Sequence, residues 1–244
     1  MAEELNSASS RHALQAAAAA IATEICLDLP AAPADPLEIN RYLGYPKDAA
    51  PAPRVAEQIS QSVAATVACI RPRGVYAVYE VATRTAHSLR MADTTITGNI
   101  GEYLEPANRV AVFAVTVGEE ISHLAEAAAK MGDAFSAWVV DAAGSWAAEA
   151  AADALMLRIR PHLRENEELT LRYSPGYCGM EIGQQQKLFQ LVQADAVGVT
   201  LMPSMLMRPL KSISGLVGLA PKEAVSLHRS PCGICGRTGC HMRR

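Results

Sequence analysis

The 244-residue sequence has few charged residues, few aromatic residues and no strong excess of either sign of charge. Charged residues make up 19% of the chain and aromatic residues 5%, whereas hydrophobic residues make up 50%. This balance is typical of a globular protein and excludes a largely disordered chain. The formal net charge of -3 provides no basic field that would attract nucleic acid or anionic lipid. Small molecules and proteins are therefore the expected partners.

The sequence also lacks the roughly 18 uninterrupted apolar residues that would suggest a membrane span. The apolar stretch that begins at Ala13 is broken by Gln15, Thr23 and Glu24, and the chain begins with acidic residues where a secretory signal would be basic. We therefore predict a cytoplasmic protein.

Common nucleotide-binding and nucleophile motifs are missing as well. The sequence contains no G-x-G-x-x-G after a strand, no Walker loop and no G-x-S-x-G nucleophile elbow. Rossmann-type dinucleotide binding, P-loop chemistry and serine hydrolase chemistry are thus unsupported, and no catalytic residue is assigned.

Hydrophobic periodicity predicts helices and strands that together form one α+β domain. Helices are predicted over Ala13–Cys26, after Pro36, after Pro53, after Glu119 and over Asp133–Arg160, and strands over Val75–Thr83, Arg109–Gly118, GVTLM and KSISGLVGL. The strand at Arg109 is apolar on both faces, so we expect both faces to be covered. Gly144 within the long helix predicts close helix packing. The expected division is a helical segment of residues 1–34, a domain of residues 35–220 and a cysteine-bearing extension of residues 221–244.

One short stretch, RYSPGYCGM from Arg172 to Met180, has the composition of either a structural turn or a ligand-binding loop. Pro175 and Gly176 form a standard type II turn pair, and proline-glycine turns are common. The stretch equally suits a binding loop, because glycine lets backbone groups approach a ligand and an arginine binds a carboxylate through two parallel hydrogen bonds. Composition alone leaves both interpretations open.

The residues downstream carry a resemblance to a known family. After the loop at Arg172–Tyr177 comes GVTLMPSMLMRPLKSISG, from Gly198 to Gly215. The order and spacing of these segments resemble the activation domain of cobalamin-dependent methionine synthase. In that family an arginine-proline-glycine-tyrosine loop precedes a threonine-leucine strand, a serine-methionine-proline segment and a serine-glycine strand. A coarser resemblance includes the alanine-rich helix from Gly144 to Arg160 and reaches back to about Asp35.

The resemblance implies an α+β fold in which a mixed or antiparallel twisted sheet packs with helices in a C-shaped domain. It also implies that the protein binds S-adenosylmethionine and supports the reductive remethylation of a cobalamin cofactor. The sequence has no aspartate-x-histidine-x-x-glycine signature for ligating cobalt. We therefore expect a free-standing activation protein, whose corrinoid is carried by a partner methyltransferase or methionine synthase and whose electron donor is of flavodoxin or ferredoxin type.

The resemblance also implies ligand contacts, residue by residue. Arg172 matches the arginine that holds the methionine carboxylate of the ligand. Ser174 and Gly176 stand where the loop offers backbone contacts, and Tyr177 matches the tyrosine of the loop. Glu149 matches a helix glutamate that faces the ligand, although by itself it reads as a solvated helix residue. An arginine and a carboxylate on opposite sides suit a zwitterion with an added sulfonium.

Three cysteines lie in the last thirteen residues as C-x-x-C-x-x-x-x-C: Cys232, Cys235 and Cys240. The two-residue gap lets neighbouring thiolates converge on one ion or cluster. Cys178 in the loop is a candidate fourth ligand, and His241 or His228 are alternatives for zinc. The pattern fits an iron-sulfur cluster, a zinc site or a tail of reduced thiols.

A second functional interpretation follows from one difference between this sequence and the family pattern. The serine-glycine strand ends in GLVGL, where the family has aromatic residues. The alternative is a metal- or iron-sulfur-binding adaptor, or an electron donor to a corrinoid protein, that has lost S-adenosylmethionine binding.

Overall fold

The apolar segment at Arg109 forms the central strand of the fold. In the computed structural model, which describes residues 20–46, 49–177 and 179–225, all eight residues of Arg109–Thr116 are buried. A strand that is buried on both faces needs a layer on each side of the sheet, and the structure provides both layers. The expected covering of this strand is confirmed.

The elements follow one another in an α+β arrangement. The strands are β1 (Ala22–Cys26), β2 (Arg73–Glu80), β3 (Thr83–Thr85), β4 (Ser88–Met91), β5 (Thr94–Thr97), β6 (Arg109–Thr116), β7 (Glu167–Tyr173), β8 (Thr200–Leu201), β9 (Met207–Arg208) and β10 (Ser212–Pro221). The α-helices are α1 (Pro36–Tyr42), α2 (Pro53–Cys69), α3 (Ile100–Tyr103), α4 (Glu120–Lys130), α5 (Ala134–Ile159) and α6 (Gln185–Leu191). Both predicted proline starts are confirmed, and Asp35 caps α1 by accepting from the backbone N–H groups of Leu37 and Glu38.

The main sheet has five strands in the order β1-β2-β6-β10-β7, and each neighbouring pair is antiparallel. Strand β7 therefore lies at one edge of the sheet, next to β10. The α+β class with an antiparallel sheet agrees with the expectation.

Helices cover one face of this sheet. The core on this side contains Phe113 from the central strand and Leu155 from α5, both fully buried. Gly144 lets α4 and α5 approach closely, because a Cβ there would lie 2.8 Å from Cγ2 of Ile121. The expected close packing at this glycine is confirmed.

The opposite face is covered by a small sheet and short helices. Strands β3, β4 and β5 form an antiparallel meander, whose inward residues Leu89, Met91 and Ile96 have no exposed surface. The sequence analysis predicted no strand between Thr83 and Arg109, so this meander was missed.

The N-terminal part of the described chain differs from the prediction. Residues 22–26 form strand β1, where Glu24 pairs with Tyr76 of β2, and a helix ending at Cys26 is wrong. The alanine-rich sequence favours a helix locally, but pairing with the edge of β2 satisfies the backbone groups and buries Cys26. Residues 13–19 of the predicted helix lie outside the described residues.

None of the helices within the described ranges has both the length and the apolar character needed to cross a membrane.

Candidate functional site

Arg172 lies near the end of edge strand β7, opposite Val217 of β10. Val217 belongs to the core under the helices, so Arg172 points to the helical face of the sheet. The Arg172 side chain is 22% exposed. A register shift follows in the ladder, and Gly218 donates its N–H to Oγ1 of Thr170 at 2.9 Å. A register shift of this kind is a β-bulge, and bulges near the edge of a sheet commonly change the direction of a neighbouring side chain.

Arg172 contacts two carboxylates on helix α5. Its Nη2 donates to Oε2 of Glu149 at 2.9 Å, and its Nη1 lies 2.7 Å from Oδ1 of Asp153. Glu149 and Asp153 are four residues apart, so they share one face of the helix. The exposed fractions of their side chains are 48% and 74%, which places this triad at a solvent-accessible rim between α5 and β7.

The two contacts of the guanidinium differ in kind. Nη2 forms a hydrogen bond to Glu149. Nη1 is buried and makes no hydrogen bond despite its closeness to Asp153. The pair with Asp153 is therefore an ion pair that lacks hydrogen-bond geometry. A guanidinium that meets a ligand carboxylate edge-on can form two parallel hydrogen bonds to it.

Arg172 and Glu149, which the resemblance assigns to the ligand site, lie on neighbouring elements. The structure brings these two residues together, but it places them in direct contact instead of on opposite sides of a ligand. Opposite charges on neighbouring elements attract each other, which explains the difference. Asp153 was missed by the sequence analysis, although its spacing of four residues from Glu149 was a usable signal.

The loop after β7 makes the expected tight turn. Gly176 has φ of 91°, a conformation that favours glycine and fits the third position of a type II turn. The N–H of Tyr177 donates to the carbonyl of Ser174 at 3.3 Å, and the N–H of Gly176 donates to the carbonyl of Met180 at 2.8 Å. The Tyr177 side chain is 69% exposed. Thus Ser174, Gly176 and Tyr177 all lie on one turn that follows the strand carrying Arg172, and Gly176 and Tyr177 are its exposed part.

Contacts with the small sheet hold this turn in place. Gly98 and Gly179 approach closely, because a Cβ on Gly98 would lie 2.8 Å from the carbonyl oxygen of Gly179. Asn99 fills the space beside Gly179, 2.8 Å from where its Cβ would be. The side chain of Asn99 also pairs with Nδ1 of His87 at 3.2 Å. The turn is thus supported on one side by the meander and on the other by the strand that carries Arg172.

The same face of α5 carries a second polar contact. Lys211 lies 2.6 Å from Oδ1 of Asp141 and donates to Oγ of Ser145 at 3.0 Å. Asp141 and Ser145 precede Glu149 by two turns and one turn of the helix. The polar residues of α5 therefore contact two cationic side chains, Lys211 just before β10 and Arg172 on β7.

The predicted metal ligands Cys178, Cys232, Cys235 and Cys240 lie outside the described residues, as do His228 and His241. Within residues 20–46, 49–177 and 179–225, no three His, Cys, Asp or Glu side chains are grouped so that they could hold a metal ion. The two described cysteines, Cys26 and Cys69, are free thiols. Burial raises the pKa of Cys26 to about 11, with a further contribution from the nearby charge of Glu24, so this thiol is inert at neutral pH.

Comparisons with known proteins match most of this chain. The family model described as "Vitamin B12 dependent methionine synthase, activation domain" matches residues 77–225, which include the helix, the strand and the turn of the site. A solved structure described as "Crystal Structure of the MetH Reactivation Domain bound to AdoHcy" is similar to this chain with a TM-score of 0.60. It is 18% identical, and the match covers 83% of this chain and 79% of that chain. No curated protein sequence shows a detectable match.

Proposed function

Because the chain belongs to the family of vitamin B12-dependent methionine synthase activation domains, we propose that it binds S-adenosylmethionine at the Arg172 site. The observation that carries the proposal is the triad of Arg172, Glu149 and Asp153 beside the turn at Gly176. The fold is that of a reactivation domain described as bound to AdoHcy, or S-adenosylhomocysteine. This molecule is what S-adenosylmethionine becomes when it loses its methyl group.

The residues present fit the amino-acid end of this ligand. The guanidinium of Arg172 suits the ligand carboxylate. Glu149 and Asp153 suit the ammonium group and the sulfonium, which are both cationic. The turn from Ser174 to Tyr177 presents backbone groups and an exposed aromatic ring within a few residues of the guanidinium. S-adenosylmethionine supplies a methyl group that is activated by its positive sulfur.

The wider role we propose is support of the reductive remethylation of a corrinoid. The corrinoid is held outside the described residues, by a partner methyltransferase or methionine synthase. The reaction consumes one electron, which an external donor of flavodoxin or ferredoxin type supplies. In this role the chain binds the methyl donor, orients it at the rim between α5 and β7, and presents it to the partner.

Calorimetric titration of the full chain with S-adenosylmethionine tests the proposal. We expect binding by the wild type and loss of most of that affinity in Arg172→Ala. Arg160→Ala is a matched control, because Arg160 also pairs with a glutamate, Glu168, at 2.9 Å, and its own side chain is half exposed. Failure of the wild type to bind would contradict the proposal and favour the adaptor that has lost the ligand site, and equal binding by Arg172→Ala would place the site elsewhere.

We further propose that Cys232, Cys235 and Cys240 bind an iron-sulfur cluster or zinc together with a fourth ligand. The support is their spacing, which allows thiolates to converge on one centre. Anaerobic purification with metal analysis and a visible spectrum decides between the two metals, since only cysteine-bound iron-sulfur absorbs broadly in the visible range. A metal content that stays the same in Cys232→Ala would exclude the cluster at these residues, and the same result in Cys178→Ala would exclude that residue as the fourth ligand.

A further inference from the structure

Edge strand β1 leaves an apolar patch exposed on the meander side of the sheet. Ile25 lies opposite Val75 in the β1–β2 ladder, and Val75 belongs to the core under the meander, so Ile25 points to that side. Ile21, four residues earlier, lies on the same side because side chains alternate along a strand. Ile21 and Ile25 are 52% and 42% exposed, and Leu27, just after the strand, is 63% exposed. These three residues form the β1 patch.

The layer that covers this side of the sheet ends at β2. Tyr79 of β2 is 1% exposed and donates its hydroxyl to the carbonyl of Leu191, the last residue of α6. Val75 of the same strand has no exposed surface. The β1 patch lies beside these buried residues and continues the apolar surface of the sheet, but no layer of the described residues buries it.

Strand β1 also lacks the features that usually protect an edge strand. Such strands carry lysine or proline, contain a bulge, or are covered by another segment. The sequence of β1, ATEIC, has no lysine or proline, and its ladder with β2 has no register shift. Its charged residue, Glu24, bonds to Tyr76 and Arg158 on the helical side of the sheet. A covering segment is therefore the form of protection that remains.

We propose that residues 11–19 form a helix that packs on the β1 patch and covers this edge of the sheet. Ala20, the first described residue, is partly buried against the core on the meander side. The chain then bends at Ile21 and enters β1. The nineteen residues before Ala20 therefore reach β1 from the side of the sheet that carries the patch.

The sequence of this segment suits such a helix. Residues 10–19, SRHALQAAAA, are rich in alanine, which favours a helix, and begin with a serine, which favours the N-cap. Ala13 and Ala17 are four residues apart on one side of the helix, and Arg11 and Gln15 are four residues apart on the opposite side. Nine helical residues are about 14 Å long, close to the length of about 17 Å for the five residues of β1. The small alanine side chains let the helix approach the sheet closely.

The C-terminal residues 226–244 are a less suitable occupant of the patch. They follow Val225, which packs on the same core. However, β10, which leads to Val225, is three strand spacings from β1, or about 14 Å. Residues 11–19 are joined to the patch by Ala20 alone, so their packing there closes the shortest possible connection.

Hydrogen exchange of the full chain, followed by mass spectrometry, tests the inference. A free helix of nine residues is marginal in water, so protection of residues 11–19 requires that they pack on another surface. We expect their amides to exchange about tenfold or more slowly than in an unstructured peptide, and Ile25→Asp to remove most of this protection. Leu37→Asp is the control, because Leu37 is 78% exposed on α1, which packs on the helical side of the sheet through Ile39.

A matched pair of variants in the segment itself leaves the described core intact. Ala17→Asp places a charge on the side that faces the patch and should remove most of the protection of residues 11–19. Gln15→Asp places the same residue type on the opposite side and should leave the protection nearly unchanged. Because aspartate lowers helix propensity equally at both positions, a difference between the two variants reports the packed side of the helix.

Light scattering after gel filtration gives the oligomeric state of the same samples, and we expect a monomer. Fast exchange of residues 11–19 in the wild type, or protection that survives both Ile25→Asp and Ala17→Asp, would overturn the inference. A dimer that Ile25→Asp dissociates would instead make a second copy of the chain the occupant of the patch. Loss of protection confined to residues 226–244 in Ile25→Asp would make the C-terminal segment the occupant.

Discussion

The hydroxyl group of Tyr76 lies 2.7 Å from Oε2 of Glu24, which fastens the edge strand β1 to its neighbour β2. Arg158, near the end of α5, donates its Nε to the other oxygen of the same carboxylate at 3.0 Å. Nε2 of His162 lies 2.7 Å from the Tyr76 hydroxyl. Because the hydroxyl has a single proton and gives it to the carboxylate, the His162 nitrogen is the donor in this second contact. Glu24 is therefore the acceptor at the centre of a network that joins β1, β2 and α5.

This network makes the stability of the fold depend on the ionised state of Glu24. Burial alone would raise the pKa of Glu24, but hydrogen bonds from Arg158, Tyr76 and Cys26 outweigh burial, so that the pKa is lowered from 4.5. A lowered pKa in the folded state contributes stability above the unfolded pKa, and this contribution is lost as pH falls through the folded pKa. We expect Glu24→Gln to melt at a lower temperature than the wild type near neutral pH, with the deficit shrinking below about pH 4.

Thermal melts followed by circular dichroism across this pH range measure the effect. Glu126→Gln is a control, because Glu126 pairs with Lys130 at 3.8 Å on an exposed turn of α4, and such surface pairs contribute little. A deficit for Glu24→Gln that stays constant from neutral to acid pH would show that the charge of Glu24 is not the cause.

Gly144 and Ile121 offer a test of the packing between α4 and α5. Alanine favours a helix by about 1 kcal/mol over glycine, yet a Cβ at position 144 would lie 2.8 Å from Cγ2 of the fully buried Ile121. We expect Gly144→Ala to lower the free energy of unfolding of the wild type by about 1 kcal/mol. In an Ile121→Ala background, which removes the nearest methyl group, the same substitution should become less destabilising, because only the 3.1 Å contacts with the flexible side chain of Lys211 remain. Urea denaturation of the wild type, the two single variants and the double variant measures the effect of Gly144→Ala in each background. A destabilising effect of equal size in both backgrounds would disprove the contact with Ile121.

The parts of the fold that the sequence predicted are those where local pattern and tertiary environment agree. The strand at Arg109 is apolar throughout and is covered on both faces. Asp133 caps the start of the long helix by accepting from the N–H of Ser136. The proline that follows this helix, Pro161, ends it near residue 160. The strand β1 was missed because its alanine-rich surroundings favour a helix, and only its pairing with β2 makes it a strand.

The candidate site was predicted in part for a similar reason. Arg172 and the turn at Gly176 form a contiguous segment, so a short pattern identifies them. Glu149 and Asp153 reach the site from α5, and their part in it depends on how α5 crosses the sheet. For Asp153 the sequence offers only its spacing of four residues from Glu149, and its contact with Arg172 depends on the tertiary structure.

A buried ion pair fixes the start of β7 relative to β6. Arg109 and Glu167 form a close ion pair, and their side chains are 7% and 12% exposed. Removing one partner of a buried pair leaves an uncompensated charge, which costs about 3–5 kcal/mol. We expect Arg109→Met to be strongly destabilising in urea denaturation, and the double variant with Glu167→Leu to cost less than Arg109→Met alone. A double variant as unstable as the sum of the two single variants would mean that the charges do not interact.

Gly215 controls how closely the functional end of β7 lies against β10. A Cβ on Gly215 would lie 2.6 Å from the carbonyl oxygen of Tyr173 and 3.1 Å from Oγ of Ser174. The nearest atom belongs to the backbone, so it cannot rotate away, and β7 would have to shift where it carries Arg172 and enters the turn. We expect Gly215→Ala to lower the free energy of unfolding by about 1–3 kcal/mol.

The same substitution should weaken binding of S-adenosylmethionine, because a shift of β7 moves the guanidinium away from Glu149 and Asp153. Gly183→Ala is the control, since a Cβ there would have no atom within 4 Å. Urea denaturation and calorimetric titration of both variants separate stability from binding. If Gly215→Ala is destabilised but binds the ligand as tightly as the wild type does, then β7 relaxes without moving Arg172, and the position of the ligand site does not depend on this close approach.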